Sequence, residues 1–218
     1  PDVGYEKLYR LMQAYLFGAM IALGPVSAGR MIIAFLASAT VQALWAVVQF
    51  MQQSIPASTW LGMSAQQPQN LGVSVIEYGD ERWLRAYGTL PHPNMLGGML
   101  TLASILAAAV YAQTSASLVA WQGKWEMLKQ PKLAMFRKLD LGSFLVFILC
   151  FIGLLLTFSR SAWLGFAVGL VAIVLLSIIF LRDLQRRAVL FAMTKLGLVT
   201  IVLFVLLNAV FGSLWISR

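Results

Sequence analysis

Five runs of about twenty mainly apolar residues set the terms for this chain, because a helix of that length crosses a hydrocarbon core roughly 30 Å thick. They lie at 31–51, 95–113, 141–158, 162–181 and 196–215, and the first carries only Gln42 and Gln49 as strongly polar members. A weaker sixth run, 11–28, is interrupted by Gly24-Pro25 and reads as a truncated or kinked span. With 60% hydrophobic and 11% charged residues the chain cannot cover a water-facing surface; soluble domains carry about a quarter charged residues. Backbone polar groups in lipid must be satisfied internally, so the expected fold is all-α, a polytopic transmembrane helix bundle of five to six spans. The chain starts at Pro1 and stops at Arg218, just after an apolar run. It is therefore expected to be a fragment, with 1–218 forming one partial transmembrane domain.

The net charge of +8 is not the signature of nucleic-acid binding here, because the basic residues cluster between apolar runs. That pattern fits topology signals and anionic membrane lipids. Segment 114–140 holds Lys124, Lys129, Lys132, Arg137 and Lys138, and segment 182–195 holds Arg182, Arg186, Arg187 and Lys195. The bias of Lys and Arg in short loops places both in the cytoplasm, together with Arg30. Segment 52–94 is then one long outer loop, and the short turn at Arg160 faces the same side. Lys7 and Arg10 fall outside if the first run is a true span, a small violation of the rule. From Arg30 onward the outward cations are all arginines: Arg82, Arg85, Arg160 and Arg218. Arginine stays charged in apolar surroundings, and its planar fork suits carboxylate or phosphate. The orientation rule disfavours cations here, so an anionic ligand is one reason for their presence.

Within the outer loop, 71–78 is a candidate short strand, and Glu77, Asp80, Glu81, Arg82 and Arg85 follow closely. Glu81 and Arg85 stand at i, i+4, the spacing of a pair on one helical turn. Alternatively Arg85 faces a ligand and the acids orient it. Trp83, Tyr78 and Tyr87 read as interfacial belt residues, or as platforms for sugar rings. Pro91-His92-Pro93-Asn94 is stiff, since each proline fixes its own φ and restricts its predecessor. Asn94 is placed to cap the next helix. His92, the only histidine, cannot make a metal site alone. It is a general base by residue type, or a hydrogen-bonding brace of the loop. Cys150 is single, so no internal disulfide forms, and it reads as a small buried hydrophobe. Ser159-Arg160-Ser161 is so tight a link that Arg160 must sit at the membrane surface. There it can snorkel to bulk headgroups or meet a lipid-linked phosphate.

Arg85-x-x-Gly88-x-x-x-His92-Pro93-Asn94 before a span resembles the outer-loop motif of the bacterial O-antigen ligase and O-antigen polymerase superfamily. Thr157-Phe158-Ser159-Arg160-Ser161-Ala162-Trp163-Leu164-Gly165 resembles the Ser-Arg motif that follows it there. The resemblance covers roughly 31–215. It implies a GT-C-like, multi-pass protein of the bacterial inner membrane with a periplasmic site. The implied reaction moves a glycan from an undecaprenyl-diphosphate carrier to lipid A core, a growing polysaccharide or a protein. It needs no cofactor and no metal ion. The family's diphosphate-binding arginines match Arg85 and Arg160; Arg82, Gly88, His92, Asn94 and Ser159 complete the implied binding set. The family's acceptor-activating histidine lies in a later outer loop, and no histidine follows His92 here, so the resemblance assigns no base. Two other classes stay open on the residues alone. One is a multi-pass transporter of a small anion or lipid-linked substrate, although the five runs hold no Asp, Glu, Lys, Arg or His for ion coupling. The other is a membrane scaffold, in which the arginines would be dispensable.

Overall fold

The computed structural model describes residues 2–24, 27–78, 81–122 and 131–216. Asp80, Pro25, Lys124, Lys129 and Arg218 lie outside the described residues, as do the side chains of Lys7, Arg10, Tyr78, Lys132 and Arg137. In chain order the elements are α1 (Asp2–Leu23), α2 (Ala28–Gln52), β1 (Val75–Tyr78), β2 (Glu81–Leu84), α3 (Pro93–Gln122), α4 (Pro131–Leu156), α5 (Arg160–Phe180) and α6 (Asp183–Ile216).

Residues 1–35 and 36–218 form two compact units. The first holds α1 and the opening turns of α2, which starts where Ser27 Oγ accepts the Arg30 amide at 3.4 Å and Ser27 O accepts the Met31 amide at 3.2 Å. The sixth apolar run lies mostly in α1, which ends at Leu23, and only its last residue, Ala28, belongs to α2. Among the described residues five helices are long and apolar enough to cross a membrane, and α1 is not among them: Ala28–Gln52, Pro93–Ser117, Lys138–Leu156, Arg160–Phe180 and Asp183–Phe211. These are the five runs of the sequence, and the protein is a mainly helical, multi-pass membrane protein.

The helices overrun the apolar segments. Both flanks of the basic segment 114–140 are helical, since α3 continues to Gln122 and α4 begins at Pro131. The basic segment 182–195 is the first third of α6, started by the Arg186 amide on Arg182 O at 2.8 Å and by an Asp183–Arg186 ion pair. Leu, Gln, Arg, Ala and Lys are strong helix formers, so hydrogen bonding runs on after hydrophobicity stops. An apolar run marks where a helix can meet lipid rather than where it ends.

In the second unit α3 is central and touches α4, α5 and α6. Small residues allow close backbone approach, the usual basis of helix association in lipid. A methyl group on Gly153 of α4 would sit 3.1 Å from Ala43 Cα of α2 and 3.0 Å from Leu100 Cδ1 of α3. Phe147 and Phe151 of α4 pack at a tilt against Phe166 of α5, the closest centroids 5.0 Å apart. At the end remote from the long loop, Asp140 Oδ1 of α4 accepts Ser115 Oγ at 2.6 Å and Thr114 Oγ1 at 3.1 Å, both from α3.

The long loop is a small folded lobe. Backbone bridges pair Ile55 with Gln66 and Ser58 with Met63. Strands β1 and β2 follow as an antiparallel hairpin with Val75 opposite Leu84 and Glu77 opposite Arg82. Ile55, Leu84 and Tyr87 form its buried core, with Met63, Val73 and Val75 packed around them. The strand expected at 71–78 is present over its second half. The helical Glu81–Arg85 pair does not form, because this stretch is extended. Residues four apart along a strand are about 13 Å apart.

Candidate functional site

Non-helical backbone at the depth of membrane helices is stable only where protein satisfies its polar groups. Two glutamines of α2 and a third just past its end do so along residues 84–89. Gln42 and Gln49 are seven residues apart, two turns and about 10 Å along one face. Gln49 is buried; its Oε1 accepts the amides of Tyr87 (3.2 Å) and Gly88 (2.8 Å), and its Nε2 donates to Gly88 O at 2.7 Å. Gln42 accepts the Thr89 amide at 2.9 Å and donates to Thr89 Oγ1 at 2.6 Å. Gln53, left-handed at φ 51° just past α2, accepts the Leu84 amide at 2.6 Å and donates to Phe50 O at 2.6 Å. The loop therefore descends alongside α2 for about two turns before α3 begins. The sequence flagged Gln42 and Gln49 as polar members of a span; their seven-residue spacing was the available sign that they share a job.

Gly88 is the tight point of this descent. Its φ is +62°, and a methyl group there would lie 2.5 Å from Gln42 Oε1 and 3.0 Å from Leu96 Cδ1. Gly88→Ala is expected to displace the Gln42–Thr89 contact and to cost roughly 1–2 kcal/mol in left-handed strain alone. A lowered thermal midpoint in detergent, with the helical circular dichroism retained, checks this.

Arg85 joins the two sequence motifs. It follows β2, is buried, and donates Nε to Thr157 O at 2.7 Å and Nη2 to Asn94 Oδ1 at 2.7 Å. Thr157 stands 72 residues away, at the end of α4. Four terminal carbonyls of any helix lack helical partners. Here the Ala86 amide donates to Leu156 O at 3.1 Å, Arg85 serves Thr157 O, and Trp163 Nε1 donates to Leu154 O at 3.2 Å. The Phe158 amide donates to Leu155 O at 3.0 Å. Phe158 takes the left-handed conformation, φ 48°, that lets the chain reverse into α5 within two residues. The loop is thus the C-terminal cap of α4, with a cation where the helix dipole favours one.

Beside this cap two helix N-termini meet. A methyl group on Gly97 of α3 would be 3.0 Å from both Ser159 Cβ and Ala162 Cβ, so the first turns of α3 and α5 are in contact. Ser159 is buried at the N-cap of α5, but its side chain does not cap the helix; Oγ lies 3.4 Å from Ser161 Oγ. Arg160, the first residue of α5, is exposed, and among the described residues no side chain pairs with its guanidinium. The first-turn amides of α5, the positive ends of two helix dipoles and an exposed arginine make a place where anions are stabilised.

Asn94 does not cap α3. Pro93 takes the first helical position, where its missing amide costs nothing, so His92 becomes the cap. His92 O accepts the amides of Met95 (3.0 Å) and Leu96 (3.4 Å), and its Nδ1 accepts the Asn94 amide at 3.1 Å. The ring proton is then on Nε2, 3.2 Å from Ser74 Oγ. Both nitrogens of His92 are engaged in loop architecture, and the Asn94 side chain is released to Arg85. Arg82 stands apart, in a cross-strand ion pair with Glu77 at 3.2 Å. Tyr87 is neither belt nor sugar platform: it is buried, and its hydroxyl accepts the Ser74 amide at 2.7 Å. Trp83 packs on Phe50 and Phe211, with centroids 6.0 and 6.2 Å away, and Phe50 also meets Phe158 at 5.9 Å. That aromatic cluster joins α2, β2, the α4–α5 turn and α6 around the site.

A cleft of about 850 Å³ lies at the opposite end of the bundle, between α3, α5 and α6, where Gln113, Ser177, Phe180, Gln185 and Val189 line it. It shares no residue with the arginine site. No family model, curated protein or solved structure matches this chain.

Proposed function

We propose that the protein transfers a glycan from an undecaprenyl-diphosphate carrier to an acceptor, lipid A core, a polysaccharide or a protein, on the periplasmic face of the bacterial inner membrane. The observation that carries this reading is the Arg85–Thr157 hydrogen bond, which brings the two arginine-bearing motifs together beside two helix N-termini. In such a transfer the acceptor oxygen bonds to the anomeric carbon while the bond from that carbon to the diphosphate oxygen breaks. Negative charge grows on the departing diphosphate. Fixed cations and amides aimed at that oxygen are strongest in a site with little water. The two arginines divide the work. Arg160, exposed at the start of α5, meets the diphosphate. Arg85, buried beneath the α4–α5 turn, positions that turn and adds its field from behind. His92 braces the loop and is not assigned as the base, and the GT-C-like likeness of the bundle belongs to this proposal.

Arg160 offers the clean test, because an exposed side chain without a partner among the described residues can be changed at little structural cost. In the full-length protein reconstituted with a labelled undecaprenyl-diphosphate glycan, Arg160→Ala is expected to reduce transfer by about 10²-fold or more, the usual loss for one charge-stabilising donor. Arg160→Lys should recover part of it, since lysine keeps the charge but not the fork. Membrane insertion and unfolding midpoint should be unchanged in both. Wild-type transfer by the alanine variant would remove the arginine site from the reaction.

A further inference from the structure

We propose that the hairpin tip Trp60-Leu61 is a membrane anchor, seated in the headgroup region of the same leaflet that the long loop faces, so that the lobe from which Arg85 projects lies on the bilayer rather than standing in water. This rests on the multi-pass reading alone and does not depend on glycan transfer. Two bridged pairs, Ile55–Gln66 and Ser58–Met63, hold the hairpin, and the turn is closed by the Gly62 amide on Thr59 O at 3.4 Å with Gly62 at φ +64°. Trp60 at that turn is 97% exposed and Leu61 50%. A tryptophan and a leucine presented together on a built turn, where side chains of a soluble lobe would be polar, call for an apolar partner.

Charge identifies the partner. From Gln52 to Ile76 there is no Asp, Glu, Lys, Arg or His. A docking face for a soluble protein or a charged glycan would keep ionic groups at its rim. A 52–76 stretch with none is matched to the headgroup and acyl boundary, where the amphipathic indole is favoured and ionic groups are not needed. The tether permits it. Ile55 pairs with Gln66 only three residues beyond the end of α2, and Trp60 is eight residues from Gln52, within about 28 Å of a membrane-helix end even if fully extended. The hairpin root is fixed to the lobe through Ile55, which packs with Leu84 and Tyr87, the residues that flank Arg85 and Ala86 in the chain. Anchoring the tip would therefore steady the segment that carries Arg85.

The single cysteine makes the test direct. In a Cys150→Ala background, a spin label at Trp60→Cys or Leu61→Cys is introduced into the protein in phosphatidylethanolamine/phosphatidylglycerol vesicles. Its collision rates with oxygen and with a water-soluble nickel chelate are then measured. A label at the anchor should be shielded from nickel and open to oxygen, at a depth of about 5–10 Å. A label at the exposed Asn70→Cys is the internal contrast and should be less shielded than either. Nickel accessibility at positions 60 and 61 equal to that of a free label in buffer would overturn the anchor. So would shielding that persists unchanged in detergent with the oxygen preference lost, because that pattern means a protein contact. Cys150 is buried, so repeating the measurement with Cys150 retained shows whether its replacement has moved the hairpin.

Discussion

Gln49→Leu is expected to release the loop from α2 and to lower stability by several kcal/mol, although it makes the span more hydrophobic. The side chain serves three buried backbone groups: the amides of Tyr87 and Gly88 and the Gly88 carbonyl. Leucine fills a similar volume and serves none. Each buried backbone group left without a partner costs about 1–3 kcal/mol, and lipid offers no water to replace it. The neighbouring exposed Gln52 is the control, since its side chain makes no hydrogen bond among the described residues. Gln49→Glu separates donor from acceptor. A carboxylate keeps both amides but sets an oxygen against Gly88 O and buries a charge, so it should be no better than leucine. The measurements are the unfolding midpoint in detergent and the rate of proteolysis within 53–92. An unchanged midpoint with an unchanged cleavage rate for Gln49→Leu would mean that the loop is held by the aromatic cluster instead.

The same residues show what the sequence could tell. Five spans were legible because a run of apolar residues has one stable solution in a bilayer. Their ends were not, because helix propensity outlasts hydrophobicity, as α6 demonstrates by starting at Asp183 among the arginines. The motif residues Arg85 and Ser159-Arg160 were singled out by charge, and Arg85 and the turn do come together through Thr157. Their division into a buried and an exposed cation could not be read from residue type. It follows from the C-terminus of α4 needing donors, a demand visible only once α4 ends beside the loop. His92 rather than Asn94 caps α3 for a local reason: Pro93 fits the first helical position, which puts the cap on the residue before it. Glu81 and Arg85 were misjudged because i, i+4 spacing carries meaning only in a helix, and this stretch is a hairpin.

Arg85→Lys is expected to lose a large part of what Arg85→Ala loses although it keeps the charge, and that loss distinguishes a geometric role from a merely electrostatic one. The guanidinium uses two nitrogens in different directions, Nε toward Thr157 O and Nη2 toward Asn94 Oδ1, each at 2.7 Å. An ammonium is a single point with a shorter reach and cannot reproduce that fork. Hydrogen bonds involving a charged group contribute about 1.5–3 kcal/mol each. Losing one should therefore cost lysine on that order, and losing both should cost alanine more, with Thr157 O left buried in either case. A cycle with Asn94→Ala apportions the two bonds. Arg85→Ala and Asn94→Ala should be strongly non-additive, because each removes the same contact, whereas Arg85→Ala and the exposed Arg160→Ala should add in unfolding experiments. In transfer assays the second pair should not add. If Arg85 acts by holding the turn that presents Arg160, then once Arg85 is gone the loss of Arg160 has little left to remove. Additive losses in transfer would place Arg85 on the diphosphate directly, as a second clamp rather than the support of the first.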